Sequence, residues 1–254
     1  TPKEFFGGVS PPARLMRFRE KFESLEEHGI DLFYCPRFAA PMRDISAPDF
    51  IRRILVQGLN ARYLVVGDDF QFARRREGTI EHLNAVAAAL DYDVEQVPSV
   101  IVNGLRVSST AIRDALGSGD MKTASKLLGR PYRMSGKIVK GDRVGRTLGY
   151  PTANVELRRR QSAVMGIFAV RVHGIDGGPH DAVASVGSRP TFNGTKPILE
   201  VHIFDFDEDI YGKYIHVDFI AWLRDQVKFD MVEDLVAQMD VDADNARSAL
   251  AADA

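Results

Sequence analysis

Apolar residues recur at helical spacing near the start of the chain, at Leu15, Phe18, Phe22 and Leu25, and Gly29 closes the run. This spacing predicts an amphipathic helix that stops at a glycine. Further helices are predicted over residues 48–59, 81–90, 109–116 and 121–128. Apolar runs over residues 31–38, 62–67 and 94–102 predict strands, the first of them buried. Strands separated by helices of this length predict a parallel sheet in an α/β domain.

The pattern changes near residue 130. Short β-like runs follow over residues 134–139, 167–172, 182–186, 199–204 and 215–220, separated by Gly, Pro and Asp. Such runs predict a closed or sandwich all-β domain. A terminal helix is predicted with Val232, Leu235, Val236 and Met239 on one face. We therefore divide the chain into domains 1–129 and 130–254.

Composition narrows the class of protein. The 254 residues are 45% hydrophobic and 27% charged, with a net charge of −2. This balance is that of a globular protein and argues against a broad nucleic-acid surface. No apolar stretch is long enough for a membrane span, and no secretory signal opens the chain, so the expectation is a cytoplasmic protein without a membrane partner. The single cysteine, Cys35, excludes an intrachain disulfide, and its apolar neighbours predict that it is buried.

Residues 140–154 hold the densest group of chemically useful side chains. Glycines allow close approach of a backbone to a ligand, and Lys140, Arg143 and Arg146 supply positive charge. Thr152 and Asn154 supply neutral oxygens that suit Mg²⁺. Neither the Walker A nor the Rossmann glycine pattern is present. The run predicts a phosphate and magnesium site, although a glycine-rich basic loop by itself is more often a mobile turn.

Glu200 is the candidate base in the second half. Polar and apolar residues alternate over 198–203, so Glu200 and His202 share one face of a strand. We expect Glu200 to point inward and to accept a proton from a reacting hydroxyl. The alternatives are a solvated strand residue for Glu200 and a structural role for His202.

The run 141–154, together with Glu200, residues 209–212 and residues 222–224, resembles the signature of riboflavin kinases. The resemblance implies an antiparallel six-stranded Greek-key barrel with a C-terminal helix, and transfer of the ATP γ-phosphoryl to the riboflavin 5′-hydroxyl. It implies that Glu200 is the base, that Thr152 and Asn154 hold Mg²⁺, and that Arg224 and Tyr211 bind the flavin. The residues implied for ATP are Lys140, Gly141, Asp142, Gly145, Arg146, Gly149, Pro151, Thr152 and Asn154.

Two motifs stand out in the first half. Residues 66–72 lie at the carboxyl end of a strand, where α/β sheets bind ligands. Residues 106–113 run from a strand into a helix that Ser109 could cap, with Arg113 one turn on and able to reach a phosphate. A plain helix cap is the simpler interpretation of the serines.

These two motifs precede the kinase-like part of the chain. In that order they resemble the adenylyltransferase half of bacterial bifunctional riboflavin kinase/FMN adenylyltransferases. The resemblance implies an α/β nucleotidyltransferase-like, Rossmann-type domain that lacks its first βα unit. It implies ATP binding by Ser109, Thr110 and Arg113. It implies flavin binding by Asp68, Phe70 and Arg106.

The family's H-x-G-H motif is absent from the printed residues, so we expect weak FMN adenylylation from this chain. The expected ligands are ATP, ADP, riboflavin, FMN and FAD, and the expected state is a monomer or weak homo-oligomer. Two other hypotheses stay open: a flavin- or nucleotide-binding regulator, and a kinase of a different small alcohol.

Overall fold

The computed structural model describes residues 11–141, 144–191 and 194–253; Asp142, Arg143 and the side chain of Arg146 lie outside them. The helices are α1 (Phe18–Glu27), α2 (Ala40–Arg43), α3 (Ala47–Asp49), α4 (Ile80–Leu90), α5 (Ser109–Gly117), α6 (Met121–Leu128), α7 (Val144–Thr147) and α8 (Val232–Ala251). A π-helix, Phe50–Gly58, continues α3, and a 3-10 turn covers Arg74–Arg76. The strands are β1 (Tyr63–Gly67), β2 (Asp93–Val97), β3 (Ile101–Val102), β4 (Leu105–Arg106), β5 (Tyr132–Val139), β6 (Ala153–Glu156), β7 (Gly166–His173), β8 (His180–Thr191), β9 (Gly194–Ile203) and β10 (Tyr214–Arg224).

The chain forms two compact units. The first contains Leu32–Arg106, and the second contains Pro12–Asp31 and Val107–Ala254. Helix α6 packs against β5 and β10 of the second unit, and α5 packs against α6. The compact units therefore differ from the predicted domains, because α1, α5 and α6 belong with the strands that follow residue 130.

A small parallel sheet organises the first unit. Strand β1 pairs in parallel with β2, and α4 lies between them in sequence. Ile51, Phe72, Leu83 and Tyr92 are among the residues that form the core of this unit. The predicted parallel α/β arrangement and the helices over 48–59 and 81–90 are confirmed. Asn103 and Gly104, both at positive φ, turn the chain between β3 and β4 in a two-residue hairpin of the favoured type.

The predicted buried strand over 31–38 is wrong. No strand is assigned there, the Leu32 side chain is 74% exposed, and Cys35 is exposed as well. A strand in a sheet needs a hydrogen-bonded ladder, and no strand ladder among the described residues includes this run. An apolar run is therefore insufficient evidence for burial.

The second unit is built on a closed barrel. Its antiparallel strands follow the order β10-β5-β6-β9-β8-β7, and β7 closes the ring by pairing with β10. Alternate side chains such as Val155, Leu199 and Val201 are buried, as closure of a sheet around a core requires. Helix α8 packs outside the ring against β7, β8 and β10. The six-stranded barrel with a terminal helix is confirmed.

A buried ion pair attaches α1 to the barrel. The carboxylate of Glu20 accepts hydrogen bonds from Arg159 Nη2 at 2.8 and 2.7 Å and from the Ser135 backbone N–H at 2.9 Å. The side chains of Arg159 and Glu20 are only 2% and 6% exposed. The predicted apolar stripe is instead open to solvent at Phe18 and Phe22, which are 60% and 47% exposed. Spacing located the helix correctly, but the ion pair determines which side of it faces the barrel.

We predict that Glu20→Ala lowers the free energy of unfolding by about 3–5 kcal/mol, because it leaves the Arg159 guanidinium buried without its counter-charge. Urea denaturation measures this change. Glu26→Ala is the matched control, since Glu26 is an exposed residue of the same helix. An equal and small loss in both variants would show that the pair does not attach α1.

Candidate active sites

Polar side chains meet on the outer face of the barrel across three strands. The strand register places Asn154 of β6 opposite Glu200 of β9, and Glu200 opposite Ser185 of β8. Leu199 and Val201 on either side of Glu200 are fully buried. Glu200 therefore points outward, and the expectation that it points inward is wrong, because the alternate residues of β9 fill the barrel interior.

A cavity of about 580 Å³ covers this face, and we call it the Glu200 cavity. Glu200 and Asn154 line it from the barrel, and Leu235 and Met239 line it from α8. Its other polar lining includes Thr152, Ser185, Arg189, Arg224, Gln226, Lys228 and Asp242. A concave site with an apolar wall and a few convergent polar groups is the usual form of a small-molecule site.

The side chains of Thr152, Asn154 and Glu200 have no hydrogen-bond or ion-pair partner among the residues that the structure describes. Their donors and acceptors are therefore available to a ligand. His202, in contrast, uses Nδ1 to contact the Pro151 carbonyl oxygen at 2.9 Å. This contact favours the structural interpretation of His202, since it holds the turn that leads into β6.

Two glycines of residues 141–149, a run that we call the flap, make close contacts. A Cβ at Gly141 would collide with the Asn154 amide, and a Cβ at Gly145 would collide with the Tyr150 carbonyl oxygen. The Tyr150 N–H donates to the Gly145 carbonyl at 2.8 Å, and Gly149 has a φ of 82°. Close backbone approach and a left-handed turn are the two conditions that favour glycine.

A second cavity, of about 370 Å³, also includes Thr152 in its lining, and we call it the Lys140 cavity. Lys140, Pro151 and Thr152 line it together with Tyr211 and an acidic loop over 207–209. Thr152 lines both cavities. Tyr211 thus lies with the residues predicted for ATP, and apart from Glu200 and Arg224.

Arg224 is held by a residue that sequence reasoning missed. Its Nε and Nη2 donate to the two carboxylate oxygens of Asp242 at 2.7 and 2.6 Å. Gln238 Nε2 donates to the same carboxylate at 3.0 Å. A signal was present in the sequence, because Asp242 falls in line with Leu235, Met239 and Ala246 on the stripe of α8 that meets the barrel.

Tyr150 connects the flap to α8. Its hydroxyl donates to the Asp240 carboxylate, and its ring meets the His202 ring edge-on with centroids 5.0 Å apart. Partial burial, reinforced by the hydrogen bond to Asp240, raises the pKa of Tyr150 to about 12. The phenol therefore stays protonated and able to donate at every physiological pH.

Among the described residues, no three or more His, Cys, Asp or Glu side chains group as metal ligands. The oxygens of Thr152 and Asn154 are the neutral donors on which the predicted Mg²⁺ site depends. Mg²⁺ commonly keeps waters and substrate phosphates as its other ligands, so a small neutral donor set is compatible with it.

In the first unit, the residues predicted for the flavin come together. The Arg106 guanidinium donates to Asp68 and Asp69 at 3.2 and 3.0 Å, and its Nε donates to Ser99 Oγ at 2.6 Å. Hydrogen bonds from Ser99, helped by the Arg106 charge, hold the pKa of the Asp68 carboxyl below its usual value. Phe70 stacks on Phe72 and is 36% exposed.

The cap of α5 differs from the prediction. Ser108, one residue before Ser109, accepts the Ala111 N–H at 3.1 Å and is the N-cap. Ser109 begins the helix instead, because the extended backbone needed for a cap occurs at Ser108. Arg113 donates to the carbonyl oxygens of Ala13 and Ser109 at 2.7 and 2.9 Å, so those bonds fix its guanidinium on α5.

Comparison with known proteins yields two family matches. The riboflavin kinase family model matches residues 128–250, and the FAD synthetase family model matches residues 1–111. Bifunctional riboflavin kinase/FMN adenylyltransferases of Haemophilus influenzae and Escherichia coli K12 are 39% and 41% identical over 97% of this chain, covering 80% and 79% of those proteins. A crystal structure described as a macrolide-efflux protein from Streptococcus pneumoniae aligns with a TM-score of 0.82 at 34% identity, covering 97% of this chain and 80% of that one. No helix among the described residues is long and apolar enough to cross a membrane.

We predict that Tyr150→Phe lowers the free energy of unfolding by about 1 kcal/mol near neutral pH, because it removes the hydrogen bond to Asp240. The folded pKa is raised above the unfolded value, so this contribution is present below about pH 10 and is lost as pH rises through about 12. Urea denaturation at several pH values measures it. Tyr34→Phe is the control, since Tyr34 is exposed; no difference between the two variants at neutral pH would contradict the prediction.

Proposed function

The chain belongs to the family of bifunctional riboflavin kinase/FMN adenylyltransferases, and from that premise we propose which of its residues carry each reaction. It is a transferase of FAD biosynthesis that phosphorylates riboflavin with ATP to FMN and adenylylates FMN to FAD with release of pyrophosphate. The observation that carries the proposal is the pairing of Asn154 with Glu200 on one outer face of the barrel, in a cavity that shares Thr152 with a second cavity.

We propose that riboflavin occupies the Glu200 cavity and ATP the Lys140 cavity, with the phosphoryl group passing at Thr152. The larger cavity is walled by α8 and Phe229 and has the apolar surface that a flat ring system needs. The smaller one is lined by Lys140, Pro151 and Thr152, which are residues implied for ATP. On this assignment, Tyr211 serves the nucleotide instead of the flavin, and Arg224 keeps its flavin role.

Glu200 acts as the base in this proposal. As the riboflavin 5′-hydroxyl oxygen forms its bond to the γ-phosphorus, the bond from that phosphorus to the β,γ-bridging oxygen breaks and ADP leaves. The proton of the hydroxyl passes to the Glu200 carboxylate. Glu200 suits this step because it lines the cavity and has no competing partner among the described residues.

Thr152 and Asn154 would hold Mg²⁺ through their side-chain oxygens. The ion, when bound, neutralises charge that develops on the transferring phosphoryl group. Gly141 is compatible with this role, since a side chain there would collide with the Asn154 amide. Lys140 and Pro151 line the Lys140 cavity, whereas Gly145 lines the Glu200 cavity. We propose that they complete the nucleotide site together with Asp142, Arg146 and Gly149.

For the second reaction we assign the flavin to Asp68, Phe70 and Arg106, and the ATP phosphates to Ser109, Thr110 and Arg113. In this reaction a phosphate oxygen of FMN bonds to the α-phosphorus of ATP, and pyrophosphate leaves. Ser109 and Thr110 lie in the first turn of α5, where free backbone N–H groups favour anions. The expected weakness of FMN adenylylation, the monomeric or weakly oligomeric state and the cytoplasmic location stay predictions.

We predict that Glu200→Gln lowers kcat for FMN formation by about 100-fold or more, with little change in the KM for ATP, because the amide cannot accept the proton. Chromatographic assay of FMN and ADP from riboflavin, ATP and Mg²⁺ measures this. Glu156→Gln is the matched control, since Glu156 lies on the same outer face of β6 but lines neither cavity. Near wild-type turnover in Glu200→Gln would remove Glu200 from the base role.

Riboflavin binding without ADP release by the wild-type chain would favour a regulator.

We predict that Asn154→Ala raises the Mg²⁺ concentration needed for half-maximal FMN formation, because one oxygen ligand is lost. A Mg²⁺ titration at saturating ATP measures the shift, and chelation of the metal should abolish turnover in all variants. Asn245→Ala, an exposed position on α8, should leave the titration unchanged. An unchanged Mg²⁺ requirement in Asn154→Ala would exclude Asn154 as a ligand.

A further inference from the structure

Asp242 is a buried carboxylate at the edge of the Glu200 cavity. Asp242 is only 5% exposed, although Val241 and Asp244 nearby on α8 are exposed. Burial of a carboxylate is costly unless strong hydrogen bonds replace water. Asp242 receives such bonds from Arg224 and Gln238, so its position requires an explanation beyond the surface charge of a helix.

The Arg224–Asp242 pair is bidentate. Nε and Nη2 of Arg224 reach separate oxygens of Asp242, which fixes both the distance and the plane of the guanidinium. Gln238, one helical turn before Asp242, donates to Oδ1 and fixes the carboxylate in turn. Arg224 Nη1 donates to the Asp225 carbonyl oxygen at 2.8 Å. A guanidinium has more N–H groups than these bonds use, so Arg224 keeps donors for a ligand in the cavity.

Attachment of α8 does not explain the pair. The C-terminal half of the helix is already held by Ala246 and Leu250, which pack with Ala169 and Phe204. Arg171 adds a hydrogen bond to the Leu250 carbonyl oxygen at 2.9 Å. Buried ion pairs add little to stability compared with apolar packing. A further contribution to the attachment of α8 therefore does not account for a buried ion pair at this position.

We propose that Asp242, supported by Gln238, is the positioning residue that aims the Arg224 guanidinium at acceptor oxygens of riboflavin. The proposal rests on the assignment of riboflavin to the Glu200 cavity. Asp242 acts through Arg224 and does not touch the reacting atoms. Without its carboxylate, Arg224 keeps its charge but loses the partner that sets its plane.

The test compares Asp242→Asn, Arg224→Ala, the double variant and Asp242→Glu in the full chain. We expect Asp242→Asn to raise the KM for riboflavin by about tenfold or more, while the KM for ATP and kcat change by less than about twofold. The double variant should be no worse than Arg224→Ala alone, since both changes remove one interaction. Asp242→Glu should recover part of the loss. Asp244→Asn is the control, because Asp244 is an exposed acid on the same helix and lines neither cavity.

The riboflavin KM values of the variants separate the role of Asp242 from the role of Arg224. An unchanged riboflavin KM in Asp242→Asn, with a raised KM in Arg224→Ala, overturns the role of Asp242 and leaves the flavin assignment standing. An unchanged KM in Arg224→Ala overturns the flavin assignment of Arg224 and the inference with it. Additive losses in the double variant would show that Asp242 acts independently of Arg224 and would overturn the positioning role. An equal loss in kcat and in ATP affinity would assign Asp242 a purely structural role. If Asp242→Asn fails to fold, the comparison of Asp242→Glu with Arg224→Ala carries the same decision.

Discussion

Closure of the barrel is the constraint on which the proposed kinase site depends. Once β7 pairs with β10, alternate side chains of each strand fill the interior and the rest must face outward. Asn154, Ser185 and Glu200 are outward residues of three adjacent strands, and the ladders that join β9 to β6 and β8 bring them side by side. Helix α8 then covers that face and turns a sheet surface into a cavity.

The proposed site combines strand residues with the flap. Backbone ladders hold Asn154 and Glu200 in adjacent strands. Side chains on strands are positioned more precisely than side chains on loops. The flap depends on Gly141 and Gly145 for its close contacts, and Tyr150 connects it to α8. The two cavities meet at Thr152, so a nucleotide and an alcohol could approach each other there while each keeps a separate pocket.

The two buried ion pairs discussed for the second unit, Glu20–Arg159 and Arg224–Asp242, have different roles. Glu20 and Arg159 attach α1 to the barrel, and their removal is expected to affect stability. Asp242 and Arg224 have similar geometry but lie at a cavity wall. The distinction comes from surroundings: the first pair is enclosed by protein, whereas the second leaves N–H groups of Arg224 for a ligand.

Much of this protein could be predicted from the sequence, because local patterns carry local information. Hydrophobic periodicity located α4, α5, α6 and most barrel strands, and the run over 140–154 with Glu200 indicated a kinase. Tertiary structure alone decided which face of β9 is interior, since alternation defines two faces without naming the buried one. It likewise decided that residues 31–38 join no strand ladder among the described residues, that Glu20 is buried against the barrel while Phe18 is exposed, and that Asp242 holds Arg224. Each of these depends on a partner distant in sequence, and a pattern read along one segment contains no information about that partner.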